Sequence, residues 1–285
     1  MLAIAIGALC SCGRLGFEPR LSEPVDGGAL LDSAAPDGGT RVSDDLIALY
    51  LFDGADPEQV ADVSDFGAPL DLAIDGTGFV SSTPVGVAIN GETLFRSLGP
   101  ASKIVDACQA TNAITMEVWV RPALVAQGGP ARIATLSHGV QERNIGLLQG
   151  GFTVEPFPFW HVRLRTENSG VPGVQAVNEE SLDDALWTHL VFTRAADDRH
   201  ALYINGTPTS MITDLGTLEP PDFSGAFDNW DRDYHLHVGN EFYAGDPDGQ
   251  DRFWLGEIAL LAIYRRALGA DEVLQNLVAG RSAGR

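Results

Sequence analysis

The sequence predicts an all-β protein: an antiparallel β-sandwich of two sheets, of the jelly-roll type, with a short helix near the C-terminus. Three observations lead to this class. Short apolar or alternating segments recur at intervals of roughly 8–12 residues, as is typical of β-sandwiches. Turn signals containing Gly, Pro, Asn or Asp separate these segments. One segment with helical periodicity, residues 270–278, follows the last strand pattern, with Val273, Leu274, Leu277 and Val278 on its apolar side.

The strand patterns differ in the number of faces that they bury. Residues 46–52, LIALYLF, are apolar or aromatic at every position, so this strand is expected to be covered on both faces. Residues 114–121, ITMEVWVR, alternate instead, and Glu117 shares the amphipathic face with Trp119. Further strands are expected at 133–136, 145–148, 161–165, 187–194 paired with 200–204, 234–239 and 255–264, with a helical turn near 104–108.

The chain of 285 residues carries a formal net charge of −21. Such a polyanion repels nucleic acid and anionic lipid headgroups, so neither is expected as a general partner. The charge either serves solubility or includes clustered carboxylates that bind a cation. Cys10 and Cys12 lie at the N-terminus, and Cys108 stands alone in the folded part. No disulfide framework is therefore expected, and Cys108 is interpreted as a small buried hydrophobe.

The first residues have the features of an export signal. Residues 1–12, MLAIAIGALCSC, contain an apolar run that is too short to span a bilayer and is typical of a secretory signal peptide. The segment Leu9–Cys12 resembles the bacterial lipobox, and this resemblance makes Cys12 the lipidated residue. The following residues are rich in Gly, Pro, Ser and Asp and lack apolar periodicity. The expected organisation is a signal peptide at 1–12, a flexible linker at 13–45, a folded domain at 46–280 and a tail at 281–285.

Six segments match a known family in their order and spacing. They are LIALYLFD at 46–53, ITMEVWVRP at 114–122, WTHLVFTR at 187–194, LYING at 202–206, WLGEIALLAIY at 254–264 and RALGADEV at 266–273. Together they resemble the laminin-G-like, concanavalin A-like jelly-roll domains of bacterial surface and secreted proteins. This resemblance implies a fold that hosts lectins, adhesion modules, glycosidases and spacers, so it implies no single activity.

The resemblance also implies a place to look for calcium. Relatives often hold a structural calcium ion through an acid on the last long strand, in a Gly-x-Ile-Asp-Glu pattern. Here Ala259 and Leu260 stand where the acids would be. Asp53, at the end of the first strand, remains a candidate ligand by family resemblance.

A second candidate calcium site does not depend on the family. Asp246, Asp248 and Asp251 place three carboxylates in one Gly-containing loop. Calcium prefers several oxygen ligands of this kind. The loop is interpreted either as a calcium site or as a solvated acidic loop.

A ligand-binding patch is predicted from the aromatic and polar residues near position 240. Trp230 and Tyr243 could stack on sugar rings, next to hydrogen bonds from Asn240 and Glu241. In the alternative interpretation the tryptophans fill the sandwich core, which is the favoured interpretation for Trp254.

No catalytic residue is predicted. Related glycosidases need a close pair of carboxylates, and the sequence contains no Glu-x-Asp-x-x-Glu run to supply it. The sequence therefore predicts a lipid-anchored binding module for carbohydrate or a surface glycoconjugate, with calcium as the candidate cofactor. Its expected place is the bacterial cell envelope, in the outer membrane, where it is exported and attached only through the lipid. A glycan-active hydrolase or lyase on the same fold, or an envelope spacer without a ligand, are the alternatives.

Overall fold

The computed structural model describes residues 39–53, 56, 58–152, 155–182, 185–241 and 252–281. The helices of this part are α1 (Ser102–Thr111) and α2 (Ala270–Ala279), and a 3₁₀ turn covers Thr77–Phe79. The strands are β1 (Leu46–Leu51), β2 (Gln59–Val60), β3 (Leu72–Asp75), β4 (Val80–Thr83), β5 (Gly86–Ile89), β6 (Leu94–Ser97), β7 (Ile114–Pro122), β8 (Ala131–Gly139), β9 (Glu142–Gln149), β10 (Trp160–Leu164), β11 (Val174–Asn178), β12 (Thr188–Arg194), β13 (His200–Ile204), β14 (Thr207–Thr209), β15 (Met211–Ile212), β16 (His235–Val238) and β17 (Gly256–Tyr264).

These strands form two antiparallel sheets. The first sheet has the order β14-β13-β12-β7-β17-β5-β4, and β1 also pairs with β17. The second sheet has the order β15-β11-β10-β9-β8-β16-β6-β3-β2. The predicted hairpin of β12 and β13 is present, with Leu190 opposite Ile204. The prediction of an antiparallel two-sheet sandwich with a short C-terminal helix is therefore confirmed.

The main core lies between the two sheets. Alternate residues of β7, such as Met116 and Val118, face inward and meet Ile133, Leu147 and Val162 of the second sheet. All five are fully buried. Each such side chain contributes about 1.5–3 kcal/mol when it leaves water, so the alternation seen in the sequence specifies which face of each strand is buried.

A second apolar layer covers the outer face of the first sheet. Helix α2 places Val273 against Leu49 of β1 and Leu260 of β17, and Val42 packs at the same layer. Because β1 and β17 are buried on both faces, they read as continuous apolar runs. Leu274 and Val278 of α2, expected on its apolar side, are instead 51% and 50% exposed.

The folded domain starts upstream of residue 46, where the sequence places its first residue. Arg41 is buried, and its Nη2 donates to the carbonyl oxygen of Gly280 at 2.7 Å. The amide of Val42 donates to Asn276 Oδ1 at 2.8 Å. The last residues of the expected linker, 13–45, are thus packed between the sheet and the C-terminal helix. The expected tail also begins with a packed residue, because the guanidinium of Arg281 lies 4.8 Å from the ring of Trp187.

A buried polar network joins this N-terminal segment to the sheet. Glu117 of β7 is fully buried and accepts hydrogen bonds from His189 Nε2 at 2.8 Å and Asn276 Nδ2 at 2.7 Å. Arg41 Nη1 donates to the same carboxylate. Burial alone would raise the pKa of Glu117, but the opposing charge of Arg41 and the bond from His189 lower it to about 2. Glu117 is thus a buried, charged hydrogen-bond acceptor within the outer layer, although the sequence placed it on a partly exposed, amphipathic face.

We expect Glu117→Gln to lower the free energy of unfolding at pH 7 by about 3 kcal/mol, because the folded pKa lies near 2 and the ordinary value is 4.5. A depressed carboxylate pKa stabilises the fold above the unfolded pKa, and this contribution disappears as pH falls toward the folded pKa. The difference between wild type and variant should therefore shrink from pH 5 to pH 2. Urea unfolding followed by tryptophan fluorescence measures it at each pH.

The matched control is Glu58→Gln, which changes an exposed carboxylate. It should alter the unfolding free energy by less than about 0.5 kcal/mol at every pH. A wild-type-to-variant difference at Glu117 that stays constant down to pH 2 would contradict the assigned ionisation.

Candidate functional site

The outer face of the second sheet differs from that of the first, because polar side chains line it. Strand pairing aligns them in one row across the sheet: Gln175 of β11, Arg163 of β10, Thr135 of β8, His237 of β16 and Arg96 of β6, with Gly146 of β9 between Arg163 and Thr135. Residues paired in this way share one face of a sheet. We call this set the polar row. Arg163, Gln175 and Arg96 are its partly exposed members, whereas Thr135 and His237 are buried.

Three arginines gather at the β8–β10 side of this face. Glu241, which follows β16, places its carboxylate 2.8 Å from Arg132 Nε and 3.4 Å from Arg143 Nε. All three of these side chains are buried. Arg163 lies beside them and remains partly exposed. We call Arg132, Arg143 and Arg163 the arginine cluster, and Glu241 is the acid at its centre.

The arginine cluster is a region of positive potential. Burial, together with the neighbouring charges of Arg143 and Arg132, lowers the pKa of Arg163 to about 9, and the opposing charge of Glu241 does not offset this. Burial likewise lowers the pKa of Arg143 to about 10, despite Glu241. The carboxyl of Glu241 keeps a pKa below its usual value although burial opposes this, because Arg132 and Arg143 stabilise its charge. Among the described residues, one carboxylate thus lies close to three guanidinium groups.

His161 orients Arg163. Its Nδ1 lies 2.9 Å from the carbonyl oxygen of Gly151, which can only accept, so Nδ1 carries the proton. The other ring nitrogen, Nε2, then accepts a hydrogen bond from Arg163 Nε at 3.3 Å. Burial and the charge of Arg163 hold the pKa of His161 well below its usual value. A neutral, fixed imidazole thus positions the guanidinium of Arg163.

The other end of the face opens into a cavity of about 480 Å³. Its polar lining is Asp75, Arg96, Ser97 and His235, and its apolar lining includes Leu94. The Nδ1 of His235 lies 3.0 Å from the carbonyl oxygen of Ser97, which fixes the ring. Arg96 belongs both to this cavity and to the polar row, so the cavity continues the row.

Two of the predicted ligand-binding residues, Trp230 and Glu241, are buried. Trp230 is 4% exposed: its ring stacks on Phe227 at 4.3 Å between centroids, and its indole N–H donates to the carbonyl oxygen of Arg165 at 2.6 Å. Its faces are therefore covered by core contacts and do not offer a stacking platform, contrary to the prediction. Glu241 is buried in its ion pairs and is not a surface hydrogen-bonding group. Asn240 is partly exposed, and its Oδ1 accepts from the amide of Glu241 at 2.9 Å.

Four other predicted site residues lie outside the described residues: Tyr243, Asp246, Asp248 and Asp251. The same holds for Cys12. Asp53 is exposed, two residues after the end of β1. Within the described ranges, no three His, Cys, Asp or Glu side chains are grouped so that they could hold a metal ion. Calcium binding therefore stays a prediction that concerns the acidic loop.

Two further sequence interpretations can be placed. Cys108 is fully buried, and burial raises its thiol pKa well above the usual range, as expected for a small buried hydrophobe. Trp254 fills the core at 1% exposure and donates from its indole N–H to Gln149 Oε1 at 2.8 Å. No helix in the described part of the chain is both long and apolar enough to cross a membrane.

The arginine cluster is the feature that the sequence did not reveal. Its members are spaced 11 and 20 residues apart along the chain, at 132, 143 and 163. A partial signal exists, because His161 and Arg163 alternate with the apolar Val162 and Leu164. Nothing in that alternation indicates which other strands lie alongside.

We expect Glu241→Gln to lower the free energy of unfolding by about 3–5 kcal/mol, because it leaves Arg132 and Arg143 buried without their counter-charge. The matched control is Glu257→Gln, whose partner Arg121 is 40% exposed. Solvent screens that pair, so its loss should be below about 1 kcal/mol. Urea unfolding of the two variants compares them directly, and similar losses would show that Glu241 is not a buried counter-ion.

Comparison with known proteins agrees with this architecture. The family model described as the concanavalin A-like lectin/glucanases superfamily matches residues 99–274. No curated protein matches the sequence. A sialidase of Trypanosoma rangeli, solved with 2,3-difluoro-KDN, is 16% identical with a TM-score of 0.56, covering 87% of this chain and 35% of the sialidase. The same sialidase with sialic acid gives 16% identity, a TM-score of 0.56, and coverages of 85% and 34%.

A third solved structure is domain 4 of AbnA, an extracellular arabinanase from Geobacillus stearothermophilus, in complex with arabinotriose. It is 18% identical with a TM-score of 0.49, covering 83% of this chain and 98% of that domain, a likeness too distant to argue from. The chain spans about a third of the length of the sialidases that it matches, and at this identity the likeness concerns the fold alone. The family match extends over more than half of the chain, from β6–α1 through β17 into α2, and agrees with the two sheets described above. The chain belongs to the concanavalin A-like lectin/glucanases superfamily.

Proposed function

We propose that this protein is a binding module for carbohydrate or a glycoconjugate, and that the outer face of the second sheet is its binding face. The observation that carries the proposal is the polar row together with the cavity of about 480 Å³ at its end. This volume falls within the range of small-ligand sites, about 300–1,000 Å³. On the first sheet, by contrast, α2 and Val42 pack over part of the outer face.

The chemistry of the cavity suits sugar hydroxyls. A hydroxyl both donates and accepts, so its binding site needs groups of both kinds. Asp75 supplies an acceptor and Arg96 supplies donors, while Leu94 offers an apolar wall for the C–H faces of a ring. The polar row extends from Arg96 to Arg163 over four strand spacings, about 19 Å, so a linear oligosaccharide could contact both ends.

A binding role suits this face better than hydrolysis. A glycoside hydrolase needs a carboxylic acid with a raised pKa to protonate the leaving group. Glu241, the acid over the polar face, has a lowered pKa and is held between two arginines. It is therefore an ion-pair partner, not a proton donor.

The proposal includes display at the bacterial envelope. Export through the signal at 1–12 and lipid attachment at Cys12 would hold the domain at the outer membrane. Residues 13–38 would then act as the tether, with Arg41 and Val42 already part of the domain. Calcium, if it takes part, would be held by the acidic loop of Asp246, Asp248 and Asp251.

Glycan binding is tested with the chain that carries Cys12→Ser, so that the protein stays in solution. A screen over diverse glycans followed by titration should find a saccharide that binds. Asp75→Asn should then weaken binding about tenfold or more, because it removes a charged acceptor from the cavity. Asp65→Asn, an exposed acid outside the cavity, is the matched control and should bind as wild type. Absence of binding to every saccharide, with and without calcium, would refute the proposal.

Lipid attachment is tested by fractionation of cells that express the full chain. Cys12→Ser should move the protein from the membrane fraction to the soluble fraction, because the acylated residue is lost. Cys10→Ser changes the other N-terminal cysteine and should leave the protein in the membrane fraction. If the two variants fractionate alike, Cys12 is not the attachment point.

A further inference from the structure

The charge of the binding face is opposite to that of the whole molecule. The chain carries a formal net charge of −21. On the outer face of the second sheet, however, Arg132, Arg143 and Arg163 meet one described carboxylate, that of Glu241. Like charges that are buried together cost free energy, so an excess of cations here requires a physical reason.

The buried guanidinium groups are also incompletely hydrogen-bonded. Arg132 is fully buried, and its Nη2 has no hydrogen-bond partner in the described part of the protein. The Nε2 of His237, in the same polar row, is buried and without a partner as well. Buried polar atoms are normally paired, and exceptions often indicate a functional group or a missing ligand.

Arg163 is the member of the arginine cluster that a ligand can reach. It is partly exposed, and its Nε is fixed by the neutral ring of His161 at 3.3 Å. No carboxylate of the described residues lies within ion-pair distance of it, whereas Arg132 and Arg143 both contact Glu241. An arginine that is held in one orientation, and whose remaining N–H groups meet no carboxylate among the residues that the structure describes, is arranged to receive an anion in a fork of two hydrogen bonds.

We propose that this face selects acidic saccharides, and that Arg163 binds their anionic group while Arg132 and Arg143 supply the surrounding positive potential. The inference rests on the proposed function and specifies its ligand class. The anionic group is a carboxylate or a sulfate, since both accept the planar fork of a guanidinium. His161 is a positioning residue, because it acts on the ligand only through Arg163.

The melting temperature of an Arg163 variant distinguishes a structural role of Arg163 from a role in ligand binding. If Arg163 served the fold, Arg163→Gln would lower the melting temperature. If Arg163 instead binds an anionic ligand, the positive charges of the three arginines repel one another in the ligand-free protein. Arg163→Gln should then leave the melting temperature unchanged or raise it. Adding the acidic ligand should then raise the melting temperature of wild type and not of the variant.

The binding test uses the Cys12→Ser chain and three oligosaccharides of equal length: a galacturonic acid oligomer, a sulfated galactose oligomer and an uncharged galactose oligomer. Titration calorimetry at about 0.01 M and about 0.15 M salt measures each affinity, because salt screens exposed charges over this range. We expect at least one charged oligomer to bind about tenfold or more tightly than the uncharged one. Arg163→Gln should abolish this preference, and Arg163→Lys should retain part of it, because it keeps the charge but loses the fork.

The matched control is Arg199→Gln, in the β12–β13 hairpin of the first sheet, where Arg199 pairs with Asp197 on the surface. It should bind all three oligomers as wild type. Preference for the carboxylate oligomer alone, the sulfate oligomer alone, or both supports the inference and identifies the group. Equal binding of charged and uncharged oligomers, or a charge preference unchanged by Arg163→Gln, overturns the inference while the proposed function stands. If no saccharide binds, in this set or in the wider screen, both fail.

Discussion

The pairing of β17 along both of its edges is the constraint on which the sandwich depends. One edge pairs with β7 over the full strand, from Gly256 opposite Pro122 to Tyr264 opposite Thr115. The other edge is shared, with β5 beside Gly256–Ile258 and β1 beside Leu260–Tyr264. The change from one partner to the other falls at Ala259, where the register with β7 shifts and where the carbonyl oxygen accepts from the amide of Phe52 at 3.0 Å. A strand near the C-terminus thus joins the first strand of the domain to its middle, so the sheet closes only through contacts that are distant in sequence.

Ala259 stands where the family resemblance leads one to expect an acid, and its surroundings explain why the fold does not need an acid there. Ala259 is 2% exposed and packs in the outer apolar layer with Leu49 and Leu260. A carboxylate there would be buried among apolar side chains and would require a partner. The layer instead keeps its buried acid at Glu117, which has Arg41, His189 and Asn276 as partners.

The two outer faces of the sandwich differ in how their polar groups are covered. On the outer face of the first sheet, α2 packs over an apolar layer, and the buried carboxylate of Glu117 is paired with Arg41, His189 and Asn276. On the outer face of the second sheet, Arg132 Nη2 and His237 Nε2 are buried without a hydrogen-bond partner among the described residues, and a cavity opens at one end of this face. The net charge of the chain does not determine the electrostatic potential at this face. Salt screens exposed charges that lie farther away than about 10 Å, whereas the buried arginines lie directly beneath the face and are screened less. An acidic protein can therefore carry a locally cationic surface.

The sequence by itself determined the sheet content and the buried face of most strands. The continuous apolar run of Leu46–Phe52 corresponds to a strand that is buried along most of its length. The alternation of Ile114–Arg121 identified the face that meets the second sheet, but it did not reveal that Thr115, Glu117 and Trp119 on the opposite face are buried as well. The segments from 46–53 to 266–273 that resemble the family could also be recognised in the sequence, since their order and spacing are properties of the chain alone.

Only the tertiary structure determined where the polar residues lie. Trp230 entered the core, Arg41 joined the domain, and Arg132, Arg143 and Arg163 met around Glu241. Those outcomes depend on strand order and register between segments far apart in the chain, and the periodicity of a single strand contains no information about either.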